Sequence, residues 1–375
     1  MRIRSVEPIP VCYPEPNDHD AIRHLCLVRL RGDDGQVGWG EAVTMWPEAS
    51  RATVRIIEGM ATLLVGRDPV ESDSIWRDLK EHAWWYGVGG IASFAIAALD
   101  IAVWDLKGKA LGVRVVDLLG GPVRDQLPAI ASSHATHAEI GAMADEVADW
   151  LSTGLHGVKV GFGKRGNARL GYEHDRDIAF VRAVRHAIGP NKSIMIDIGN
   201  AIRWDASTAV ERVRAMEDVG GIAWIEEPLG ADNPAGYTTL RAKTTARIAY
   251  GEREWDVNGY QRILNTGTVD VVGVDPGRAE GITGFRKVCE RVEAARREAN
   301  AHAWSSAIVS AASLAISFST PVCHQFEVKP LRNPMQHDLV TRPLDHVAGW
   351  MEPPTGPGLG IEVLDEVVDH YRLDD

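Results

Sequence analysis

The chain has 375 residues, 45% of them hydrophobic and 25% charged, the mix of an ordinary globular protein with ample chain for more than one domain. Forty Lys and Arg against fifty-two Asp and Glu leave a net charge of −12, a field that repels phosphate backbones and anionic lipid, so neither nucleic acid nor a membrane is expected as a partner. Cys12, Cys26, Cys289 and Cys323 form no C-x-x-C pair and are too sparse for a disulfide framework or a thiolate metal site, which fits a reducing cytoplasm. The start, MRIRSVEPIP, has no apolar targeting core, and the most apolar stretch, Ile91 to Trp104, carries Asp100 and is too short to span a bilayer. A soluble protein is expected.

In chain order, Leu25 to Leu30 and Val37 to Trp39 read as strands flanking Asp34-Gly35, a turn dipeptide suited to a hairpin. Glu48 to Leu64 and Ser72 to Trp85 carry helical patterns. Ile91, Phe94, Ala98, Ile101, Ala102 and Asp105 share a face of a longer helix that stops near Gly112. Strands followed by helices in blocks predict a separate α+β unit over residues 1–125. From Pro128 onward the texture alternates. Short β-rich runs at 157–160, 193–196, 222–225, 247–250 and 269–274 are followed by helical stretches such as 175–188, 206–219 and 281–299. That alternation predicts an α/β fold, a closed (β/α) barrel over 126–330, and disfavours an open doubly wound sheet because no Gly-rich phosphate loop opens a first βα unit. The Pro- and Gly-rich segment 331–375 suits a tail packing back over another domain.

Three successive predicted strands end on a carboxylate, Asp197, Glu226 and Glu252, at separations of 29 and 26 residues that match one βα repeat each. Barrel enzymes build their sites at these strand ends, so the three side chains should converge there. Hard oxygen ligands without thiolate or a histidine triad favour an octahedral cation such as Mg²⁺. An acid at such a junction can also be a helix N-cap or first-turn residue; three in register favour the metal.

Bases flank this group. Lys159, on the preceding strand, is an inward lysine whose pKa burial beside apolar walls can lower enough to make it a base. Asp275 follows Val271-Val272-Gly273-Val274, and His302 lies 27 residues later, so a carboxylate can fix the tautomer of an imidazole and raise its basicity. The local string REANAHAW is a poor strand. Glu327, in QFEVK on a predicted eighth strand, could hydrogen-bond a developing oxyanion if kept protonated. Opposed bases around a metal suggest chemistry at an acidic α-proton.

With these residues in hand the chain resembles the mandelate racemase subgroup of the enolase superfamily over almost its whole length. The strings that carry the resemblance are ALDIAVWDLKGKALG (98–112), IDIGN (196–200), WIEEP (224–228), GEREW (251–255), VDPGRAEGITGF (274–285) and AHAW (301–304). The resemblance implies that the first unit is a cap completed by the C-terminal segment. It implies that Asp197, Glu226 and Glu252 hold Mg²⁺, and that Lys159 and the His302–Asp275 dyad flank the α-carbon of a carboxylate substrate. Glu327 falls where the subgroup often has an acid near the substrate carboxylate. One departure is marked: the family's Lys-x-Lys is matched here by Gly157-Val158-Lys159, so the outer lysine is missing. The implied chemistry is abstraction of an α-proton through an enediolate, foremost dehydration of an acid sugar to a 2-keto-3-deoxy acid. Racemisation or epimerisation, lactone cycloisomerisation, and a silent acid-sugar-binding barrel are alternatives. Substrate contacts are expected from the cap around Tyr13 to His19 and Met45 to Trp46, with Trp46 itself a candidate, and from Lys164, Asn200 and Trp304 on the barrel. A homo-oligomer is expected by the same resemblance.

Overall fold

The computed structural model describes residues 1–199 and 201–373. Its first unit is a three-stranded antiparallel sheet of β1 (Ile3–Glu15), β2 (Ala21–Gly32) and β3 (Val37–Met45) in that order. The hairpin between β2 and β3 turns at Gly35, whose φ of 87° suits glycine. β1 was not predicted: it carries Pro8, Pro10 and Pro14, which lack the N–H a central strand needs, and the fold accommodates them by placing β1 at the sheet edge. Three helices cover the sheet, α1 (Pro47–Met60), α2 (Ser72–Ala83) and α3 (Ile91–Leu111). α3 is buried almost all round, more than its one predicted face requires. It lies directly on β3 because Gly38 and Gly40 present no side chain; a Cβ at Gly40 would overlap the carbonyl oxygen of Ala98. α3 stops at Gly112, in the left-handed conformation, and the short α4 (Val115–Leu118) follows.

Eight parallel strands then form the barrel: β4 (Leu127–Ser133), β5 (Gly157–Phe162), β6 (Ser193–Ile198), β7 (Ile222–Glu226), β8 (Ile248–Tyr250), β9 (Val271–Val274), β10 (Glu298–Ala301) and β11 (Phe326–Val328). Neighbours in sequence pair from β4 to β10, and β11 pairs with β4. Ala299 of β10 bridges to Cys323 just before β11, bringing the ends of the ring together. Helices α5 (Ile140–Leu151), α6 (His174–Ile188), α7 (Ala206–Glu217), α8 (Pro234–Lys243), α9 (Val257–Asn265), α10 (Gly281–Ala294) and α11 (Ala307–Ser319) separate the strands. The chain is therefore a capped (β/α) barrel. The helix predicted over 281–299 ends at Ala294, and its last residues turn into β10. Glu298-Ala299-Asn300-Ala301 is a strand despite its polarity because its small alanines are buried and the Asn300 amide, pointing inward, donates to Glu327.

The cap is fastened to the barrel mouth by polar contacts. Buried Glu41 of β3 accepts from the hydroxyls of Ser305 and of Ser306, the N-cap of α11, just beyond β10, and Trp104 of α3 donates to Thr283 of α10 at 2.8 Å. Past residue 330, β12 (Trp350–Met351) pairs with β4, and after α12 (Asp365–Tyr371) Arg372 bridges to Val11 of β1. The C-terminal segment thus touches both units. All four cysteines are free, and among the described residues no helix is long and apolar enough to cross a membrane.

Candidate active site

Period-two alternation aims every second residue of a parallel barrel strand into the barrel, and the last inward positions form its mouth. Asp197 is paired in register with Glu226 across β6 and β7, and Glu252 follows β8. Helix capping does not use them: α7 is capped by Asp205, α8 by Asn233 and α9 by Asp256. Asp197 and Glu252 line a cavity of about 130 Å³ beneath the cap, together with Lys159, His302, Lys164 and Trp304. A wider cleft of about 610 Å³, between β3 and residues 355–363, has no histidine in its lining and its Lys109 is tied to Asp105. The acids, the histidine and the lysines converge in the smaller cavity.

Glu226 lies deeper. Its Oε1 accepts from Lys159 Nζ at 3.0 Å and its Oε2 from Trp224 Nε1 at 3.0 Å. Burial raises its pKa to about 7 against the pull of Lys159. Glu252 Oε2 lies 3.3 Å from His302 Nε2; burial would raise Glu252 too, but the charges of His302 and Lys159 hold it at about 2. The carboxylates therefore rest against cations of the chain, and among the described residues no three acids, histidines or cysteines close into a cation cage.

The predicted dyad is present. His302 Nδ1 is 2.8 Å from Asp275 Oδ2, and Asp275, fully buried, also accepts from the Gly277 N–H at 2.8 Å. Burial works against the charged imidazole, yet Glu252 and Asp275 raise its pKa to about 9.

Lys159 differs from expectation. Its ammonium is 2.8 Å from Glu327 Oε1 as well as 3.0 Å from Glu226 Oε1. Burial does disfavour its charge, but Glu226, Glu327, Asp197 and Glu252 outweigh that, so its pKa is well above the usual lysine range rather than lowered. In this arrangement it is a cation held between two carboxylates. Glu327 is buried beside it, bonded by Asn300. The side chain missing from the mouth is also one layer higher than expected. Gly157 pairs with Ser193 deep in the barrel, whereas Gly161 pairs with Asp197 on the inward face it shares with Lys159.

Trp304 donates to the Ser132 carbonyl at 3.0 Å, and Lys164 reaches the cavity from the loop after β5. Trp46 does not line it: it stands at the start of α1, 56% exposed, while its neighbour Met45, with φ of 63°, turns inward. Asn200 lies outside the described residues. Sequence reading missed His134, which follows β4, Arg23 of β2, Arg278 after β9, and Arg253, paired with Glu227 at 2.6 Å. The alternation in Leu127–Ser133 could have drawn attention to His134, the residue directly after it.

Residues 142–367 match the enolase C-terminal domain-like family, and residues 19–120 match the N-terminal domain of the mandelate racemase/muconate lactonizing enzyme family. The chain belongs to the mandelate racemase-like family of the enolase superfamily. It is similar to D-gluconate dehydratase of Thermoproteus tenax, 30% identical over 99% of this chain and 74% of the relative. It is also similar to D-galactarolactone cycloisomerase of Agrobacterium fabrum, 28% identical over 93% of this chain and 91% of the relative. The crystal structure of 3,6-anhydro-D-galactonate cycloisomerase from Zobellia galactanivorans superposes with a TM-score of 0.89 at 26% identity, covering 100% of both chains. As a member of the enolase superfamily the protein is an enzyme; the first matched range falls within the cap, and the second runs from α5 through the barrel into the C-terminal segment.

Proposed function

We propose that the protein removes the α-proton of an acid-sugar carboxylate with the help of Mg²⁺, and that the leading reaction is dehydration to a 2-keto-3-deoxy acid. The observation that carries this reading is the His302–Asp275 dyad opening onto the same cavity as Asp197 and Glu252. The donor set suits the metal: three carboxylates from adjacent strand ends, none engaged in capping a helix, supply hard oxygens and leave room for substrate. Asp197, Glu226 and Glu252 would hold the ion, which when bound offsets the negative charge that grows on the substrate carboxylate as the proton departs.

The chain's own residues do the rest. Asp275 fixes the tautomer of His302 and orients Nε2 toward the cavity, so that Nε2 takes the α-proton. Passed on to the β-hydroxyl, the same proton lets that group leave as water. The enol left behind tautomerises to the 2-keto acid. Lys159, its ammonium braced by Glu226 and Glu327, has a further N–H with which to hold the substrate carboxylate. Racemisation fits less well, because it needs a second base facing His302 and the Lys159 ammonium is held between Glu226 and Glu327. Cycloisomerisation is the second reading, favoured by the cycloisomerase relatives; there the departing group is a ring oxygen instead of a hydroxyl.

The test is a panel of mono- and diacid sugars incubated with Mg²⁺, read by semicarbazide for 2-keto acid and by NMR for solvent deuterium at the α-carbon. Keto acid lighter than its substrate by one water supports dehydration, keto acid isomeric with a lactone substrate supports cycloisomerisation, and exchange without keto acid supports racemisation or epimerisation. Neither signal across the panel leaves only a silent binding barrel.

A further inference from the structure

Gly161 sits on the inward face of β5, level with Asp197, where a side chain would project into the cavity. A Cβ there would run into His134 Nδ1 and lie 2.7 Å from Lys164 Cε. The glycine is therefore what lets these two side chains, from the ends of β4 and β5, approach the substrate space. His134 is only 7% exposed, and its Nδ1 is buried without a hydrogen-bond partner. Its ring lies against Trp304, tilted by 32° with centroids 5.2 Å apart. Lys164 lines the cavity and has no ion-pair partner among the described residues. Arg23, carried by the cap, lies over Trp304 at 4.7 Å and is bonded to Asp18 at 2.8 Å. Asp18 also lies 3.9 Å from His134 Nε2.

We propose that the space over Gly161, walled by His134, Lys164 and Arg23, is a subsite for a second carboxylate, so that the substrate is a sugar diacid or its monolactone rather than a monoacid. This deepens the function proposed above and rests on it for the chemistry at the other end. A neutral polyol end could satisfy the imidazole, but it would leave the half-buried Lys164 ammonium beside Arg23 and His134 with no ion-pair partner among the described residues. A carboxylate accepts from Lys164 and from the Nδ1–H of His134 together. Burial first, and then the charges of Lys164 and Arg23, hold His134 well below its usual pKa, so it stays a neutral donor beside them.

The experiment compares a six-carbon aldarate with the aldonate of matching configuration, by turnover with Mg²⁺ and by calorimetric binding. The aldarate should bind about tenfold more tightly, with a correspondingly lower KM. Lys164→Gln should raise the aldarate constants toward those of the aldonate. Gly161→Ala, which pushes His134 and Lys164 back, should do the same while leaving both ammonium and imidazole in the protein. Equal binding of the two acids by the unaltered protein overturns the subsite. So does a Lys164→Gln variant that weakens both in equal proportion. A calorimetric preference for the aldarate that Lys164→Gln abolishes, without turnover of either acid, upholds the subsite and defeats the proposed reaction instead.

Discussion

His302 Nδ1 stands 2.8 Å from a carboxylate oxygen of Asp275 that solvent does not reach, while the opposite ring nitrogen faces Glu252 and the cavity. One nitrogen is thereby held by a buried carboxylate and the other left facing the cavity. Asp275→Asn keeps the shape of this contact but not its charge, and its amide can impose the wrong tautomer. Turnover should fall by about 10²- to 10⁴-fold, with His302→Asn at least as severe. The check is kcat and α-deuterium exchange for each variant alongside circular dichroism. Loss confined to KM would show that the dyad only binds.

Holding Mg²⁺ should stabilise the folded chain, because the ligands converge only in the native state. At a concentration 100 times the dissociation constant the gain is about 2.7 kcal/mol. A thermal melt with and without the ion reads it directly. Glu252→Gln should erase the shift, and chelation should abolish turnover. A melting temperature indifferent to Mg²⁺ in the unaltered protein would count against the assigned ligands.

Asp100, inside α3, accepts from the N–H of Thr283 at 2.8 Å and from its hydroxyl at 2.7 Å. Burial pushes its pKa up to about 7 from an ordinary 3.8. Between those values the folded state holds a proton that the unfolded chain has lost, so this residue's contribution to stability declines as pH climbs from 4 to 7. Asp100→Asn carries no such dependence. The variant should therefore compare more favourably with the parent at pH 8 than at pH 4.5, as measured by urea denaturation. A difference that is flat with pH, or of opposite sign, would refute the shift.

Close approach of α3 to β3 depends on Gly40. Gly40→Ala forces a methyl against the Ala98 carbonyl, which neither backbone can vacate without moving. The expected loss is about 1–3 kcal/mol or more of unfolding free energy. Alanine at Gly59, on the open side of α1, meets nothing within 4 Å and serves as the control.

What could be read from the sequence followed the regularity of the repeat. Asp197, Glu226, Glu252, Asp275 and His302 recur at one βα spacing, so a barrel alone was enough to bring them to one mouth. β1 was hidden because its prolines forbid a central strand and say nothing against an edge. β10 was hidden because a polar inward Asn300 is stable only once Glu327, 27 residues away, is there to receive it. The direction of the Lys159 pKa was not legible because it depends on which charges surround the ammonium, and a strand pattern gives burial without neighbours. The same holds for Trp46 and Met45: consecutive residues at a strand-to-helix junction, of which a backbone turn at φ of 63° sends one inward and leaves the other in solvent.

Arg23 and Met45 belong to the cap, whereas His302, Asp275 and the three acids belong to the barrel, and both groups meet at Trp304 and the roof of one cavity. The cap thus supplies part of the cavity's wall, while the acids and the dyad come from the barrel. Exchanging the hairpin that carries Asp18 and Arg23 for that of a relative should redirect which acid is accepted without disturbing how its proton is moved, a modularity open to both evolution and design.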